Sequence, residues 1–160
     1  MFLLLLVFTL FLGSCSSASH MSAFEVMSCL DTGDGYMYIN GSDISSVNYI
    51  SPPHLGYLYY GSRTELEELR YTESYCIYMS RSVFPSEIHI FKAKYQSDTD
   101  KLRRMLDSRA KLLSKPMINP NNSELLSPTG IECSVFSKGR FVFLLAGDSE
   151  EAISRIESLF

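Results

Sequence analysis

Hairpins separated by helices predict an α+β protein, a two-layer sandwich with a mostly antiparallel, four-stranded sheet in ββαββα order, preceded by short N-terminal helices. Three observations carry this. Residues 73 to 80 read as a strand, with Tyr75, Ile77 and Met79 on one side. Leu102, Met105, Leu106, Ala110 and Leu113 recur at helical spacing. Lys138-Gly139 forms a turn between an alternating stretch and the unbroken apolar run from Phe141 to Ala146, which marks a hairpin.

The chain opens with Met1 to Gly13, a run without charge whose only hydroxyl is Thr9. It is shorter than the roughly 20 apolar residues of a membrane span, and has the length of a signal-peptide core, though no Lys or Arg precedes it. Leu12-Gly13-Ser14-Cys15 then resembles a bacterial lipobox: an aliphatic residue, two small ones and the Cys that receives lipid. The small residues let a peptidase grip extended backbone, and the thiol must reach a lipid donor at the membrane surface. Residues 1–14 are therefore expected to be a lipoprotein signal, 15–21 the lipidated Cys15 and a tether, and 22–160 a single domain. The alternative is cleavage after Ala18, which leaves a soluble secreted protein.

Ser22 and Glu25 form a capping box for a first helix ending near Asp31. Gly33, Asp34 and Gly35 make a turn. From 36 to 63, Gly41, Pro52, Pro53, Gly56 and Gly61 break any long element. Thr64-Glu65-Leu66-Glu67 reads as a second capping box, opening a short helix to about Arg70. After the strand at 73–80 and a loop at Pro85-Ser86, a strand over 87–95 carries Ile88 and Ile90 on one face and Phe91 and Tyr95 on the other. Apolar groups on both sides point to a strand covered twice. Ser97 and Asp98 open the clearest helix, which runs to about Ser114. Pro116, Pro120 and Asn121-Asn122 mark a loop. Ile131, Cys133 and Val135 face inward on the next strand, and Asp148 caps a last helix with Ile153, Ile156 and Phe160 inward.

A net charge of −4 excludes the basic footprint of a nucleic-acid binder and argues against electrostatic attachment to anionic lipid. Beyond Cys15, the cysteines Cys29, Cys76 and Cys133 lack CxxC spacing, so zinc is not expected. They read as small buried hydrophobes, with a Cys76–Cys133 disulfide as the alternative.

From Ser86 onward the chain resembles a family of uncharacterised bacterial lipoproteins, domain of unknown function 4358 (DUF4358). The likeness rests on Ser86-Glu87-Ile88-His89-Ile90-Phe91-Lys92-Ala93-Lys94, on Arg109 late in the following helix, and on Lys138-Gly139-Arg140-Phe141-Val142. Where the family carries Tyr-x-Pro, this chain has Met117-Ile118-Asn119-Pro120. The resemblance implies an anchored envelope domain typical of Gram-positive bacteria and no known activity.

Arg109 lies four residues after Met105 and seven after Leu102, so it points along an apolar face. A charge there needs a partner or a route to water. Glu87 is the expected partner in an ion pair holding helix to sheet; the other reading is an arginine snorkelling at the stripe's edge. His20, His54 and His89 are dispersed. His89 shares a strand face with Glu87 and is read as a structural histidine rather than half of an acid–base pair. No nucleophile elbow or phosphate loop occurs. Asp31 to Gly35 is read as a turn rather than a calcium loop, because no Glu follows at the required distance. Nine of the ten tyrosines lie between Tyr36 and Tyr78. Tyr57, Tyr59 and Tyr60 are read first as core plugs, and otherwise as a binding face.

With no catalytic cluster in view, the expectation is a non-catalytic binding lipoprotein on the outer face of the cytoplasmic membrane. It would be held by lipid on Cys15 and meet an envelope protein or a cell-wall glycan, without nucleic acid, metal or cofactor. The alternatives are a wall hydrolase or transferase using carboxylates such as Glu87, and a structural subunit of an envelope complex.

Overall fold

The computed structural model describes residues 18–62, 64–82, 86–118, 125–127, 130–147 and 149–160. Cys15, the expected signal segment, Pro85, Pro120, the Asn pair and the expected Asp148 cap lie outside them. Strands β1 (Gly35–Ile39), β2 (Thr72–Ser80), β3 (Glu87–Ala93), β6 (Cys133–Lys138) and β7 (Phe141–Ala146) form one antiparallel sheet in the order β1-β2-β3-β7-β6. Two short strands, β4 (Met117–Ile118) and β5 (Leu125–Ser127), pair separately. The helices are α1 (Ala23–Met27), α2 (Pro52–Tyr60), α3 (Thr99–Leu113) and α4 (Glu150–Leu159).

The α+β class and the four expected strands are present, and β1 adds a fifth at the edge. Gly35, read as a turn residue, begins that strand. The two expected layers become three, because each face of the sheet carries helices. On one face, Ala23, Val26 and Met27 of α1 and Ile156 of α4 pack on Cys76, Tyr78, Ile88, Ile90, Phe141, Phe143 and Leu145. On the other, Leu55 and Tyr59 of α2 and Leu102, Met105 and Leu106 of α3 pack on Tyr75, Ile77, Phe91, Val142 and Leu144. The cause is the twofold apolar character of β3 and β7, whose residues are buried throughout. Each large side chain so buried contributes about 1.5–3 kcal/mol.

Ser22 and Glu25 cap α1 reciprocally, as the motif predicts. The second capping box does not form. Leu66 is buried in extended conformation and itself precedes a 3-10 turn over Glu67–Tyr71, without a side-chain cap. Burial of Leu66 outweighs the single hydrogen bond Thr64 would make. The expected tether also shortens: Ala18–His20 form a 3-10 turn, Ala18 is buried, and Met21 packs against the first core cluster.

The pairing register gives the sheet two ends. One carries Gly35, Ser80, Glu87, Ala146 and Cys133; the other carries Thr72, Ala93, Phe141 and Lys138. Cys76 and Cys133 belong to core clusters on opposite faces, and Cys29, Cys76 and Cys133 are all free thiols. The alternative disulfide is thereby excluded. Burial pushes the Cys76 thiol up to about 12, so it behaves as a small apolar group.

Candidate functional site

Glu87 and His89 point the same way from β3, two residues apart, into the layer between the sheet and helices α2 and α3. Arg109, from the last turns of α3, meets Glu87 with both prongs: Nε donates to Oε2 at 3.0 Å and Nη2 donates to Oε1. Its third nitrogen, Nη1, donates to the Leu58 carbonyl of α2 at 3.3 Å. His89 Nε2 lies 2.9 Å from Glu87 Oε2, and His89 Nδ1 lies 2.7 Å from the Tyr59 hydroxyl. The structure thus joins four side chains from three elements, of which the sequence had grouped only Glu87 with Arg109 and with His89.

The protonation states follow from the partners. Burial pushes the Glu87 carboxyl up, but hydrogen bonds from His89 and Arg109 outweigh it and hold the group at about 2. Burial holds the His89 imidazole below its usual range, against the opposing pull of Glu87. A neutral ring with its proton on Nε2 donates to Glu87 and accepts the Tyr59 proton at Nδ1. Burial, then the Glu87 charge, raises the Tyr59 phenol well above its ordinary value. Every proton has one place to be, and the set is electrically neutral.

Chemically this is a lock. Tyr59 and His89 are fully buried, Glu87 nearly so, and only the Arg109 side chain reaches solvent, at 15 % exposure. A substrate has no approach to His89.

Tyr59 is therefore a core plug, as first read, and leaves the alternative binding face, whereas Tyr57 and Tyr60 are exposed and plug no core. Residues 52–60 are helical, because Pro52 and Pro53 occupy first-turn positions that need no amide donor. Gly61 closes the helix at φ 69°. On that helix Tyr57 is 60 % exposed and Tyr60 donates to Glu68, while Tyr59 turns inward. His54, read as a loop residue, sits in α2 with Nδ1 2.6 Å from the Ser51 hydroxyl.

A separate cleft of about 650 Å³ opens where α1 ends and α4 begins, at the Ser80–Glu87–Ala146 end of the sheet. Thr32, Ile88, Ser149, Arg155 and Ser158 are among its lining residues. Arg155 Nε donates to the Cys29 carbonyl at 3.3 Å, which ties α4 to the end of α1. Hydroxyls are the most numerous polar groups of the lining, which also carries Asp31, Glu87, Glu151 and Arg155, all but Glu87 exposed. Such a mixture suits a neutral polar ligand held by hydrogen bonds. The sequence carried no signal for this cleft, since its walls come from four distant segments. Among the described residues no three His, Cys, Asp or Glu side chains gather as a metal site. Compared with protein-family models, with curated proteins and with solved structures, the chain matches none.

Proposed function

We propose that the protein is a lipid-anchored, non-catalytic binding module on the outer face of a bacterial cytoplasmic membrane, a lipoprotein of the kind that DUF4358 describes. The observation that carries the anchor is Leu12-Gly13-Ser14-Cys15 directly after an uncharged apolar run. The pieces behind the family likeness fall at linked places in the fold: Glu87 to Ala93 is β3, Arg109 grips Glu87, and Lys138-Gly139 leads the β6–β7 turn.

Sealing of the Glu87–His89 constellation favours binding over catalysis. Glu87 borders the cleft, which is what an envelope hydrolase or transferase would need. Yet a carboxylate held at about 2 and clamped by Arg109 is too weak a base to take a proton at neutral pH. The cleft is the proposed binding site, and its hydroxyl-rich wall fits a cell-wall glycan.

Intact mass of the protein taken from membranes, beside a Cys15→Ala variant, tests the anchor. The expected species begins at Cys15 with two or three acyl groups, and the variant lacks them. A chain beginning after Ala18 without lipid would sink the proposal.

A further inference from the structure

Among the described residues, eight large apolar or aromatic side chains are exposed, and five of them gather at one end of the molecule. Phe24 follows Ala23, whose amide donates to Ser74 Oγ on the first half of β2. Ile44 and Val47 stand on the loop that leaves β1 at Ile39, and Val47 is 88 % exposed. Tyr95 lies just past the last residue of β3 and is 70 % exposed. Phe160 lays its ring against Phe141, the first residue of β7, with centroids 5.3 Å apart. All five thus stand on segments that leave or meet the half of the sheet ending at Thr72, Ala93 and Phe141.

The described chain enters at that same end, through Ala18–His20 and the Ser22 cap beside Ser74. Cys15 is three residues before Ala18, so the intervening chain spans at most about 10 Å. We infer that this end of the domain rests on the lipid bilayer itself, with Phe24, Ile44, Val47, Tyr95 and Phe160 as its contacts. The inference rests on the proposed anchor. Lipid on Cys15 leaves this end no room to stand clear of the surface, and apolar and aromatic side chains are what an interface accepts.

Charge does not drive the contact. Glu73 takes both Lys92 and Arg140, and Lys138 faces Glu157 at 3.9 Å. Cations and carboxylates offset one another around the patch, so the attraction is apolar. The cleft begins at the opposite, Ser80–Glu87–Ala146 end of the sheet and runs along α4 as far as Ser158.

The sequence contains no Trp, so a single Trp reports from one place. Full-length protein carrying Val47→Trp, Tyr95→Trp or, at the far end, Tyr36→Trp is reconstituted into phosphatidylcholine vesicles with and without brominated acyl chains. Circular dichroism checks that each variant folds like the parent, and intact mass records the acyl groups. The Trp at 47 and at 95 is expected to shift to the blue and lose most of its emission to bromine, while that at 36 keeps it. Added salt or phosphatidylglycerol leaves the loss unchanged. Acylated protein whose Trp at 47 and 95 is quenched no more than at 36 overturns this inference and leaves the anchor standing. A mass without acyl groups overturns the anchor and the inference with it. A blue shift that appears in detergent without vesicles and grows with protein concentration assigns the patch to a second copy, and also overturns it.

Discussion

Arg109 brings a full charge into a helix face otherwise made of Leu102, Met105 and Leu106, and the cost is met by bidentate pairing with Glu87. Removing one partner strands the other in a dry layer. Arg109→Met and Glu87→Gln are each expected to cost about 3–5 kcal/mol, and the double variant less than their sum, measured by urea unfolding. Additive losses would mean that the two side chains do not cooperate. The pH dependence follows from the same group of residues. His89 titrates below its ordinary 6.5 when folded, so below that pH the unfolded chain takes up a proton that the folded chain refuses. Glu87 titrates at about 2 when folded against 4.5 ordinarily, which has the same sign. Stability is therefore expected to fall as pH drops below 6.5, and again from about 4.5 towards 2, each group adding at most about 1.4 kcal/mol per pH unit. His89→Gln should remove the upper part of the slope. A wild-type profile flat between pH 7 and 5 would contradict the buried neutral imidazole.

The helix α2 shows how a local signal is overruled by its setting. Pro52, Pro53, Gly56 and Gly61 look like breakers in a row, yet the prolines start the helix, Gly61 ends it, and Gly56 lets another segment cross. A Cβ at Gly56 would lie 1.7 Å from the Thr64 carbonyl oxygen. That backbone is fixed by buried Leu66, two residues on. Gly56→Ala is expected to cost roughly 3 kcal/mol through overpacking, whereas Gly61→Ala meets open space and costs about 1–2 kcal/mol from its left-handed backbone alone. Thermal unfolding of both variants checks the order; equal losses would argue against the crossing. Elements with a one-face repeat or a short unbroken apolar run were legible from the sequence: β2, β3, α3, β7 and α4 fall within a few residues of their predicted bounds. Strand β1 was not, because Gly35 to Ile39 has no alternating polar partners and takes its identity from pairing with β2. Burial of Tyr59 agrees with the core reading, but what sets it apart from exposed Tyr57 and Tyr60, and brings it to His89, is a helix the sequence did not announce.

At the scale of the whole molecule, reading worked where chemistry forces a partner and failed where distant segments meet. A charge among leucines demands a counter-charge, so Glu87 could be named for Arg109 from spacing alone. The cleft needed the end of α1, the start of α4 and the edge of β3 to be brought together, and no spacing rule does that. The strand order adds a consequence in time. Strand β3 has β2 on one side from early in the chain, but its other neighbour is β7, the last strand. Until β7 has left the ribosome, at roughly 5–20 residues per second, the far edge of β3 presents an open row of amides and carbonyls. The sheet cannot close early. On the proposed route, in which an unfolded chain is threaded through a narrow export pore, late closure would keep the polypeptide slack for most of its synthesis.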